Sequence, residues 1–149
     1  MFYIQFEYEG ETFYLEIDDQ QIATRQIIMK NPREFQISSR MDCLAEGEVL
    51  LTEENTEIPQ AEFERIWRQC MRYYEEDWQQ AKDDYPVNSV AVCKVEYFYP
   101  QGIIAHSGKT VFCMEDTADS RINRINITIK GTVIGYDEQN MWVLLSNKS

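Results

Sequence analysis

Apolar and polar side chains alternate from the start of the chain. Phe2, Ile4, Phe6 and Tyr8 fall on one side and Tyr3, Gln5, Glu7 and Glu9 on the other, the period of a half-buried strand. Glu9-Gly10 supplies a tight turn, because glycine accepts positive φ without steric cost, and Phe13, Leu15 and Ile17 then resume the apolar side. The opening therefore reads as a hairpin, with Asp18-Asp19 closing its far end. A third strand is predicted over Ala23 to Met29 and stopped by Asn31-Pro32; a short fourth uses Phe35 and Ile37. Ser38 to Gly47 reads as a loop, followed by the short apolar run Val49 to Leu51 and the polar stretch Thr52 to Glu57.

The period changes at Pro59. Phe63, Ile66, Trp67, Cys70, Tyr73, Tyr74, Trp78 and Ala81 recur at three- and four-residue spacing, and nothing breaks the segment until Tyr85-Pro86. Pro59 suits the first turn, and Glu62 and Glu64 sit where the positive end of the helix dipole favours anions. One long helix over residues 59–84 follows, its apolar stripe laid on the sheet. From Val87 the period returns to two: Val90 to Tyr99, Ile103 to His106, Thr110 to Met114, Ile125 to Tyr136 and Met141 to Leu145 read as strands, with Gly131 or Gly135 as a bulge or barrel corner.

The switch from period two to 3.6 and back predicts an α+β fold. An N-terminal antiparallel sheet is covered by one long helix and followed by a small, mainly antiparallel barrel-like or curled-sheet unit. The predicted modules are residues 1–86 and 87–149. Trp67, Tyr74 and Trp78 offer enough apolar surface for the two to share one core.

Composition narrows the class further. With 149 residues, 13% aromatic, the chain can bury a globular core despite a net charge of -12, and its few glycines and prolines exclude collagen-like and low-complexity classes. No apolar run approaches the roughly 20 residues that cross a bilayer, and Met1 to Glu11 holds no basic residue, so a cytoplasmic protein without signal or span is expected. Cys43, Cys70, Cys93 and Cys113 include no Cys-x-x-Cys pair and read as reduced thiols.

Charge is placed unevenly. Residues 1–58 carry 13 acidic against 4 basic side chains, residues 59–86 carry 7 against 4, and residues 87–149 carry 6 of each. The first part repels a polyanion and attracts a basic protein by electrostatic steering.

The residue types that run catalysis are sparse. The single histidine, His106, stands at a strand end beside Ser107-Gly108 with no motif around it; as a base for Cys93 or Cys113 it would need the fold to bring them together, and both cysteines lie in apolar strands. Glu75-Glu76-Asp77 and Asp83-Asp84 lack the spacing of a calcium loop and read as a solvated helix face. The glycines form no phosphate-binding pattern. No cofactor, no metal and no enzymatic activity are expected.

The stretch Tyr14-Leu15-Glu16-Ile17-Asp18-Asp19, with Thr24-Arg25-Gln26-Ile27-Ile28, Asp42-Cys43-Leu44-Ala45-Glu46-Gly47 and Phe63-Glu64-Arg65-Ile66-Trp67, resembles a group of small acidic uncharacterised bacterial proteins, some of them immunity proteins of polymorphic or contact-dependent toxin systems. The resemblance covers residues 12–70 and implies a compact α+β module that binds, and neutralises, a partner. The 87–149 segment is absent from the short members of the group.

Charge and resemblance converge on a cytoplasmic acidic protein that neutralises a basic protein partner, a bacterial toxin domain. The expected contacts are Glu7, Glu9, Glu11, Glu16, Asp18, Asp19, Glu53, Glu54 and Glu57. The alternative is a small-barrel module for single-stranded nucleic acid or a peptide, using Lys94, Tyr97, Tyr99, Lys109, Arg121, Arg124 and Trp142.

Overall fold

A computed structural model of the chain describes residues 1–115 and 125–146. The chain forms two compact units, Met1–Tyr74 and Glu75–Ser149.

The first unit is an antiparallel sheet of five strands among the described residues: β1 (Phe2–Tyr8), β2 (Glu11–Ile17), β3 (Ala23–Asn31), β4 (Glu34–Ile37) and β5 (Thr56–Ile58), in the order β4-β3-β2-β1-β5. Glu9 and Gly10, with φ of 50° and 81°, join β1 to β2 in the two-residue turn whose twist matches that of the strands. Helix α1 (Gln60–Met71) buries Phe63, Ile66, Trp67, Cys70 and Met71, a stripe at the spacing of one helix face.

Alternation alone pointed to Phe2, Ile4, Phe6 and Tyr8 as the core side of β1. The structure buries Tyr3 as well as Ile4, and the Tyr3 ring lies 5.1 Å from that of Phe63 on α1. The helix thus covers the side of the sheet that carries Tyr3, Glu16, Arg25, Ile27 and Ile37, as the strand register shows.

The predicted helix is interrupted once. A 3₁₀ turn, Arg72–Tyr74, separates α1 from α2 (Glu75–Asp84). Three residues per turn instead of 3.6 shifts the phase of the stripe, and Tyr73, expected on the buried face, is 77% exposed.

The second unit begins with α2 and closes into a barrel of β6 (Val90–Tyr99), β7 (Gly102–Ser107), β8 (Thr110–Met114), β9 (Thr128–Asp137) and β10 (Trp142–Ser146). The order around the barrel is β10-β8-β7-β6-β9; β8 and β10 run parallel and the other pairs antiparallel. Strands β9-β6-β7-β8 stand in Greek-key order, the fourth strand in sequence returning to lie beside the first. Two irregularities let the strands curve: one between Val95 and Tyr97 on β6, the other where β9 passes Leu144 and Leu145 of β10. Gly102, at φ +144°, starts β7 where a Cβ would stand 2.5 Å from the Met114 carbonyl oxygen.

Helix α2 belongs to this unit. Trp78 Nε1 donates to Glu138 Oε2 at 2.6 Å, the Tyr85 ring meets Phe112 edge-on at 4.9 Å, and the Tyr136 hydroxyl donates to the Tyr85 carbonyl at 2.8 Å. The second compact unit thus starts at Glu75, with α2.

Candidate functional site

The expected contact residues separate into three environments. Glu7 begins the exposed end of β1, Glu9 occupies the turn, and Glu11 opens β2 opposite Tyr8. Strand β5 lies beside β1, with Gln5 opposite Thr56 and Ile4 opposite Glu57. Because the two strands are antiparallel, Glu53 and Glu54 lead into β5 from the end where Glu7 and the turn lie. Gln5, Phe6, Glu7, Glu54 and Thr56 line an open groove of about 550 Å³. Glu57, paired with Ile4, points to the opposite side of the sheet from Thr56.

Asp18 and Asp19 lie at the other end of β2. Asp18 Oδ1 accepts hydrogen bonds from the backbone N–H of Gln20 at 2.9 Å and Ile22 at 3.0 Å, shaping the connection to β3. Asp19 is exposed, its carboxylate 3.4 Å from the terminal amine.

Glu16, expected on the surface, is 6% exposed. Its carboxylate accepts from Arg25 Nε at 2.9 Å and Nη2 at 2.6 Å, from the Thr24 hydroxyl at 2.8 Å and from the Tyr3 hydroxyl at 3.0 Å. Arg25 also donates to Glu64 on α1, from Nη1 at 3.2 Å and from Nη2, and its guanidinium carbon stands 4.9 Å from the ring centroids of both Phe63 and Trp67. Burial pushes the Glu16 carboxyl up, but the hydrogen bonds from Arg25, Thr24 and Tyr3 outweigh it and hold the group below the ordinary value. Glu16 is therefore a core residue, withdrawn from any partner, because a buried arginine needs its acid. The legible signal was parity: Arg25 shares its side of β3 with Ile27.

The groups raised for catalysis are likewise held in structure. Burial pushes the thiols of Cys43, Cys93 and Cys113 up to about 12 and that of Cys70 to about 11, so near neutrality they are thiols. Nδ1 of His106 lies 3.3 Å from Glu96 Oε2, within ion-pair range but not aligned as a hydrogen bond. Among the described residues no group of three or more His, Cys, Asp or Glu side chains converges on a metal position. None of the helices among them is long and apolar enough to cross a membrane.

Of the cations and rings proposed for stacking on nucleic acid, Tyr97 and Trp142 are buried in one cluster with Ile104, Val111 and Cys113. A buried ring offers no face to a base. Lys94 and Lys109 are exposed, and Arg121 and Arg124 lie outside the described residues. Compared with known proteins, the chain matches no protein-family model and no curated protein.

Proposed function

We propose that this protein is a non-catalytic binding protein that neutralises a basic protein partner, docking it on the end of the first sheet formed by β5 and the turn between β1 and β2. The observation that carries the reading is the groove in which Glu7 and Glu54 face the same space, with Glu9 in the adjoining turn and Glu53 beside Glu54. Acids gathered on one surface accelerate encounter with a basic partner and fix its orientation. The thiols held protonated by burial support a role without covalent chemistry.

The resemblance of residues 12–70 to a group of small acidic uncharacterised bacterial proteins, some of them immunity proteins, supports a partner class: a bacterial toxin domain, met in the cytoplasm and covered at its working surface. Coexpression with the product of the adjacent gene tests this. Relief of growth arrest together with recovery of a complex is the expected result, and neither relief nor complex would refute the reading.

A further inference from the structure

Strand β1 is longer than the strand that covers its outer edge. β5 pairs only with Tyr3, Ile4 and Gln5, so Phe6, Glu7 and Tyr8 have no strand on that side among the described residues. Extending the register would set Asn55 opposite Phe6 and Glu54 opposite Glu7. Like charges directly opposite destabilise strand pairing, which gives a physical reason for β5 to begin only at Thr56. Instead the chain turns at that point, with the Asn55 N–H bonded to the Thr52 carbonyl at 3.1 Å. The groove lined by Glu7 and Glu54 opens where that pairing is missing.

We propose that the partner inserts an extended segment here, adding a strand to the open edge of β1 from Phe6 to Tyr8. The proposal rests on the functional reading above and specifies how that surface is used. Main-chain groups at a bare edge give the affinity of strand addition, and side chains at alternate positions give its specificity. On one side of β1 the added strand meets Glu7, with Glu54 beyond; on the other it meets Phe6, half-buried against Phe13 with ring centroids 4.9 Å apart, and Tyr8, 62% exposed. The matching segment alternates cationic with apolar residues, so that one lysine or arginine neutralises Glu7 and Glu54 together. A second copy of this chain fits poorly, since pairing β1 with β1 across a two-fold axis brings the acids of Glu7 and Glu9 against their own kind.

The test uses two synthetic octapeptides of equal composition, one alternating Lys and Val and one with its lysines and valines in blocks, titrated into the full chain at low salt. Amide hydrogen exchange is read by NMR. The alternating peptide should slow exchange at Glu7, the one residue of this stretch whose N–H faces the open edge while Phe6 and Tyr8 bond β2, by about tenfold or more at saturation, the block peptide far less. Both Glu7→Lys with Glu54→Lys and the milder Glu7→Gln with Glu54→Gln should remove that protection. Basic peptide binding that depends on these acids but leaves that edge amide unprotected overturns strand addition and leaves the functional reading standing. Absence of binding by either peptide counts against both. Protection of the same amide without peptide, rising with protein concentration, would show a second copy at the edge and overturn the proposal.

Discussion

Arg25 and Glu16 meet fork to fork inside the first unit, two N–H donors of the β3 guanidinium facing the two oxygens of the β2 carboxylate at 2.9 and 2.6 Å. The pair ties β2 to β3, and Glu64 carries the same guanidinium to α1. Removing one partner leaves the other charge buried alone, so Arg25→Ala should cost roughly 3–5 kcal/mol of stability. Replacing both with apolar residues of similar volume should cost less than either single change. Urea denaturation of the two single variants and the double variant checks this, and additive losses would show that the residues act independently.

The same pair sets a pH dependence. The folded-state carboxyl of Glu16 is held below its ordinary value of 4.5. Its contribution is therefore fully present above that value and is lost as pH falls through the lower folded-state value. Stability of the wild-type protein should fall on acidification below about 4.5, and more steeply than in Glu16→Gln, which has no proton to take up there. Parallel urea midpoints for the two proteins between pH 6 and pH 3 would contradict the assignment.

Glu9 occupies a turn position with φ of 50°, where a side chain of its size is strained and asparagine is at ease. Glu9→Asn should raise stability by about 0.5–1 kcal/mol while removing one acid from the proposed interface. A thermal melt together with a partner titration separates the two effects: higher stability with weaker, less salt-sensitive binding is expected.

Thiols with raised pKa values, three of them buried and that of Cys43 half-buried, should resist alkylation. At pH 7.5 the folded chain should leave Cys43, Cys70, Cys93 and Cys113 essentially unlabelled by iodoacetamide, and all should react in denaturant. Rapid labelling of Cys93 or Cys113, abolished by His106→Ala, would instead reveal an activated nucleophile.

Strands whose period was two and whose ends carried glycine, proline or paired acids were legible in the sequence; the opening hairpin, β3, β4 and the barrel strands follow from those signals. β5 was hidden because three residues, one of them Glu57, give no period and pair only at an edge. The Tyr3, Glu16 and Arg25 side of the sheet read as solvated, since nothing local shows that a helix distant in sequence will supply Phe63, Trp67 and Glu64 to cover and satisfy it. Helix α2 read as a continuation of α1 because its contacts, Trp78 to Glu138 and Tyr85 to Phe112, are made with strands that come later in the chain. Acidity located the surface of the candidate site, and only the register of β1 and β5 brought Glu7 and Glu54 to one groove.

The most direct measurement is a calorimetric titration of the adjacent gene's product with the wild-type chain, with Glu7→Lys plus Glu54→Lys, and with Asp19→Lys, at low and physiological salt. Asp19 is an exposed acid at the opposite end of β2, so its reversal alters net charge without touching the groove. The predicted result is a complex weakened by salt, lost by about tenfold or more on the double reversal and little changed by Asp19→Lys. No complex with the wild-type chain, or equal loss per reversed charge at both ends, would contradict a partner site built around Glu7 and Glu54.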